Sequence, residues 1–118
     1  MITVSILAAT ICFSVNNIEE CHPILIGKNT PIGTFPITHM TTKKPGYGGD
    51  ILVFKETSTT LYAIHRLWKF NPKQKREQRL ATSTPKDNII TSGCINVESK
   101  VYERLTACCS KEPLEIKK

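Results

Sequence analysis

No apolar stretch in this chain runs far before something interrupts it. Seven prolines, six glycines and frequent Thr and Ser cut the sequence into short apolar runs, a pattern that disfavours long helices and favours a mainly β domain. The same interruptions leave no apolar span of bilayer-crossing length, roughly 18 residues or more, so no transmembrane segment is expected. At 118 residues the chain reads as one small domain. A hydrophobic content of 40% supplies a core, and 22% charged residues of interspersed sign argue against disorder. The 16 Lys+Arg against 10 Asp+Glu leave a formal charge of +6, which makes an acidic polymer or surface a reasonable partner without identifying it.

Residues 2–15 have the hydrophobicity of a secretory core but lack a basic leader and a small-residue cleavage site, and they read as strand. The run Ile11 to Val15, the pair Asn16–Asn17 and the run Ile18 to Ile26 read as a hairpin, because asparagine tolerates the positive φ of a two-residue turn. That register sets Cys12 opposite Cys21, which makes a cross-strand disulfide plausible; two buried free thiols fit the pattern equally well. A metal site using Cys21 and His22 lacks a second ligand pair at zinc spacing. Gly27 to Pro36 and Lys43 to Asp50 read as loops. Ile51 to Phe54 and Leu61 to His65 read as a second hairpin, which leaves His65 at a strand end.

Arg66 to Leu80 is the most basic stretch, with six basic residues and one acid, and Asn71 and Pro72 suit the start of a short helix. It reads either as a solvated helix face or as a cationic lid for an anionic polymer, with Trp68 and Phe70 able to stack on a ring. Ser99 to Cys109 carries Val101, Leu105 and Cys108 or Cys109 at helical spacing. Cys108 and Cys109 are expected to be packing or surface residues rather than a redox pair. Residues 110–118 read as a frayed tail outside a domain of residues 1–109.

The chemistry-bearing feature is Cys94, directly after Gly93 and between an apolar strand at Ile89–Ile90 and a helical segment. A glycine there lets the backbone turn sharply, so that the amides of Ser92, Gly93 and Cys94 converge as an oxyanion hole, and a helix N-terminus nearby would favour the thiolate. Of the three histidines, His65 is best placed as the base, with the Ile89–Ile90 strand expected alongside it; His22 and His39 read as structural or surface residues.

These residues resemble the L,D-transpeptidase (YkuD-type) catalytic domain family. Ile64 and His65 match its first block, and Thr91, Ser92, Gly93, Cys94, Ile95 and Asn96 match its nucleophile block. Gly27, Lys28, Thr30, Pro31, Gly33, Phe35 and Ile37 match its upstream G-K-x-T-P-x-G-x-F-x-I pattern. Ser92 stands where most members have a second His, and the gap from His65 to Thr91 is wider than usual, as if a substrate-covering insertion lay there.

The resemblance implies a β-sandwich or mixed sheet with a short helix after the nucleophile. It implies ping-pong acyl transfer on peptidoglycan stem peptides: Cys94 attacks, His65 moves the proton, D-Ala leaves, and the acyl group passes to an amine, or to water in an L,D-carboxypeptidase. No metal or other cofactor is implied. Thr91 and Asn96 are expected to brace the turn or touch substrate, Arg66 and Trp68 to contact carboxylate or glycan. The implied location is the periplasm or cell wall. A catalytically silent peptidoglycan-binding domain is the rival reading. A nucleic-acid-binding protein fits the charge but shows no stacking platform, so peptidoglycan rather than nucleic acid is the expected partner.

Overall fold

The computed structural model describes residues 1–44, 47–67, 75–81 and 85–118. Residues 2–15 form not one strand but two, β1 (Ile2–Ser5) and β2 (Thr10–Val15), with Ala9 at φ 51° in the turn between them. β2 turns at Asn16 and Asn17, both at positive φ, into β3 (Ile18–Pro23). This is the expected hairpin, with β3 ending at Pro23 rather than at Ile26. Cys12 pairs with Cys21 and the two are disulfide-bonded, which resolves the alternative left open by the sequence and removes both thiols as metal ligands.

The segment from Gly27 to Pro36 is less of a loop than its prolines imply. Gly27 belongs to β4 (Ile26–Gly27), and Gly33–Phe35 is a short strand, β5. After β6 (Thr38–Thr41), the second hairpin is present as β7 (Asp50–Glu56) and β8 (Leu61–Arg66). A short helix, α1 (Arg76–Ala81), and a 3-10 turn at Pro85–Asn88 lead to β9 (Ile89–Thr91) and β10 (Ile95–Val97). The helix start expected at Asn71 and Pro72, and the stacking roles of Trp68 and Phe70, concern residues outside those described. The helix α2 (Ser99–Cys109) follows the expected periodicity and buries Val101, Tyr102, Leu105 and Cys109.

Residues 110–118 are not a frayed tail. Leu114–Lys117 is β11, which runs parallel to β1 and antiparallel to β5 and so lies inside the five-stranded sheet β3-β2-β1-β11-β5. Its alternation explains why: Leu114 and Ile116 are buried while Glu115 and Lys117 point away. A second, four-stranded sheet has the order β10-β8-β7-β6, and β4 pairs with β9.

One apolar core lies between the two larger sheets and α2. It takes Ile2 and Val4 from β1, Phe13 from β2, Leu52 and Phe54 from β7, Ile64 from β8 and Ile95 and Val97 from β10. A smaller cluster of Leu25, Leu67 and Leu80, with Ile90 against it, seats α1. Cys108 and Cys109 are bonded to each other, contrary to their reading as unlinked packing or surface residues, although Cys109 does pack in the core. Among the described residues no helix is long and apolar enough to cross a membrane.

The position of β11 gives a direct check. Leu114→Ala should lower unfolding free energy by about 2–5 kcal/mol, the usual cost of truncating a fully buried leucine, as read from urea denaturation. A disordered tail would show no change.

Candidate active site

The site is built on the outer face of the four-stranded sheet, and pairing register decides what that face carries. β10 runs parallel to β8 with Ile95 opposite Ile64 and Asn96 opposite His65. Ile64, Ile95 and Val97 point into the core. By alternation His65 and Asn96 point the other way, and Cys94, two residues before Asn96, faces the same side. The strand beside His65 is thus β10, after the cysteine. The apolar strand expected there, Ile89–Thr91, pairs with β4 instead.

Cys94 therefore sits between two strands, not at a helix start: β10 separates it from α2, the helix expected to follow it directly. The turn that presents it is braced from within and from behind. Thr91 Oγ1 donates to the Cys94 carbonyl at 2.6 Å and accepts from the Gly93 N–H at 3.1 Å. The Gly93 amide, expected as an oxyanion donor, is directed to Thr91 instead. Gly93 has φ +134°, and a Cβ there would meet the Tyr62 ring at 2.5 Å.

From behind, Thr30 Oγ1 donates to the Gly93 carbonyl at 3.0 Å and accepts from the Gly27 N–H at 2.9 Å. A side chain on Gly27 would run into the Thr91 carbonyl and the Gly93 amide. The upstream block and the nucleophile block are thus two halves of one support.

Cys94, the unbonded cysteine, lines two adjoining cavities. The smaller, about 180 Å³, is lined by Tyr47, His65, Arg76, Thr91, Ser92, Cys94 and Asn96. The larger, about 520 Å³, shares Tyr47, His65, Ser92 and Cys94 and extends along Lys44, Thr59 and Thr60. The thiol donates to the Leu61 carbonyl at 3.6 Å. His65 is only 3% exposed, with the Tyr47 ring 4.5 Å from its own. Its Nδ1 lies 2.6 Å from the Arg66 carbonyl, which accepts only if Nδ1 carries the proton. Nε2 is then the lone-pair nitrogen, and the Asn96 Nδ2 lies 3.4 Å from it.

Not every expected residue joins the site. Arg66 donates to Asp50 at 2.6 Å and lies over the Tyr102 ring at 4.4 Å, so it ties β8 to β7 and α2 and does not line the smaller cavity. Trp68 is outside the described residues. His39 bonds to Asp50 and His22 to Glu20, as structural or surface histidines would. Arg76 and Tyr47 were not singled out by the sequence. Arg76 belonged to a stretch read by its overall charge, and Tyr47 to a glycine-rich loop with no periodicity to give it a face.

Burial sets the resting protonation. It pushes the Cys94 thiol up, against a hydrogen bond from the Ala63 backbone and the charge of Arg76. Burial also lowers His65, from 6.5 to about 4, with the Arg66 carbonyl opposing and the Arg76 charge adding to the fall. At neutral pH the pair rests as thiol and neutral imidazole rather than as an ion pair. The expected ease of thiolate formation is not built into the resting site.

No protein-family model and no curated protein matches the sequence. Solved structures do match the fold. The Ldtfm–avibactam carbamoyl enzyme superposes with a TM-score of 0.66 at 16% identity over 98% of this chain and 47% of its own. An L,D-transpeptidase from Stackebrandtia nassauensis gives 0.57 at 12% identity, over 98% of this chain and 53% of its own. The catalytic domain of the E. faecium L,D-transpeptidase gives 0.58 at 18% identity, over 98% of this chain and 94% of that domain. The chain thus has the fold of L,D-transpeptidase structures, and spans about half the length of the first two.

Two outcomes are expected. Gly93→Ala should cost about 1–3 kcal/mol from the backbone strain alone, seen as a lowered melting temperature. The second concerns acid. An unfolded chain protonates His65 near 6.5, while the folded chain resists until about 4, so stability falls as pH drops across that window. The loss amounts to about 3 kcal/mol at completion. In His65→Gln this part of the pH dependence of the urea midpoint should be absent.

Proposed function

We propose that this protein is a cysteine acyltransferase of the L,D-transpeptidase type, acting on peptidoglycan stem peptides. The observation that carries the reading is the shared face of β8 and β10, where Cys94 and His65 line one cavity with an imidazole whose Nε2 holds a lone pair. The fold similarity to L,D-transpeptidase structures adds to it.

In this reading substrate enters the cavity and the Cys94 sulfur turns from the Leu61 carbonyl toward the scissile carbonyl. His65 Nε2 takes the thiol proton as the S–C bond forms, so the thiolate need not exist beforehand. Because Gly93 is engaged with Thr91, the Ser92 and Cys94 amides are the donors assigned to the oxyanion, an effect worth about 3 kcal/mol per donor. The tetrahedral species collapses, the C–N bond breaks, and the imidazolium returns its proton to the leaving D-Ala amine. The thioester passes to an acceptor amine in crosslinking, or to water in an L,D-carboxypeptidase.

Asn96 contacts His65 rather than substrate in this scheme. The location proposed with this activity is the periplasm or cell wall, where the Cys12–Cys21 disulfide would persist.

A carbapenem, which acylates a nucleophilic cysteine, should add its mass to the intact protein, and the adduct should disappear in Cys94→Ala. Incubation with purified tetrapeptide muropeptides should release D-Ala, with crosslinked dimers or tripeptides separating transfer from hydrolysis. Absence of both adduct and product from the folded, reduced-thiol protein would favour a silent binding domain.

A further inference from the structure

Arg76 belongs to a stretch that looks like solvent-facing positive charge, yet it turns inward. Arg76 and Leu80 are four residues apart on α1 and share a face. Leu80 is buried against Leu25 and Leu67, and this seating carries Arg76 to the smaller cavity, beside Cys94. Its Nη1 donates to Asn96 Oδ1 at 2.7 Å. Asn96 is fully buried, with its backbone bonded to Leu25 in both directions at 3.0 and 2.9 Å. An amide whose oxygen is held this way presents its NH2 oppositely, and Nδ2 accordingly faces His65 Nε2. Donation runs one way, from Arg76 to Asn96 to His65.

We infer that Arg76 is a positioning residue for the reacting pair: through Asn96 it holds the His65 imidazole in place with Nε2 as acceptor, and it sets a fixed positive charge beside the Cys94 sulfur. The inference rests on the reading of Cys94 as nucleophile and His65 as base. Nε2 has one lone pair, so as it takes the thiol proton the long Asn96 Nδ2 contact gives way, and the guanidinium stabilises the sulfur anion left behind. It also disfavours a lasting imidazolium, so the proton moves on to the leaving amine. Among the described residues, the charged or titratable groups lining the cavities around Cys94 are Tyr47 from the β6–β7 loop, His65 from β8, Arg76 from α1 and, along the larger cavity, Lys44. Arg76 is the cation that also bonds to Asn96, which makes it separable from the others by substitution.

The test reads thiol chemistry without substrate. The other four cysteines are disulfide-bonded, so iodoacetamide alkylation followed by intact mass reports Cys94. In Arg76→Met the rate–pH curve should move up by about one pH unit, slowing alkylation roughly tenfold on its rising limb. The Asn96 side-chain amide should lose its protection from hydrogen exchange. Arg76→Gln keeps a donor for Asn96 without the charge and should shift the curve while retaining protection. Arg76→Lys should restore the parent curve.

A folded Arg76→Met protein with the parent's curve and protected Asn96 amide would overturn the inference. Should Arg76→Met not fold, identical curves for the Gln and Lys variants would overturn it. A failure to form the carbapenem adduct would count against the acyltransferase reading while leaving this result intact.

Discussion

Strand β10 is three residues long, yet its pairing with β8 on one edge and with Leu25 on the other decides which way Asn96 and Cys94 face. A slip of one residue would turn Ile95 and Val97 out of the core and bury Asn96 among apolar side chains, losing the burial of two fully enclosed residues and stranding an amide. The geometry of the site is therefore enforced by the hydrophobic core on the opposite face of the same strands. No bond between the sulfur and the imidazole is needed to hold them near each other, and the thiol in fact donates its hydrogen bond to the Leu61 carbonyl.

The turn ahead of β10 depends on residues more than sixty positions upstream. Gly27 allows the close approach and Thr30 supplies a hydroxyl that both accepts from Gly27 and donates to Gly93. A glycine and a threonine at this spacing are structural partners of the cysteine turn, although neither lines the smaller cavity. Sequence blocks so far apart in the chain thus form one support.

Much of this was legible in the sequence, and what was hidden has physical causes. The Asn16–Asn17 turn fixed a register that placed Cys12 against Cys21, and the periodicity of Ser99–Cys109 marked its buried side. Cys94 and His65 were singled out from glycine-assisted turn chemistry and a strand end, and the two line one cavity. The strand at Leu114–Lys117 was missed because four residues of alternating character after a proline resemble a charged terminus until β1, from the other end of the chain, is beside them. Arg76 was missed because a run of positive charge gives no indication of which member turns inward. That depends on Leu80 finding Leu25 and Leu67. The uncharged state of Cys94 and His65 was also invisible, since burial is a property of what packs over a residue and not of its neighbours in sequence.

Burial of the Cys94 thiol has a consequence for its chemical stability. Oxidants and stray electrophiles attack sulfur mainly as the anion. A cysteine kept protonated and neighboured by an uncharged ring resists both, while four of its fellow cysteines are already tied up in pairs. Cys94 is the one cysteine outside a disulfide, and its burial keeps it the protonated thiol, the slower target.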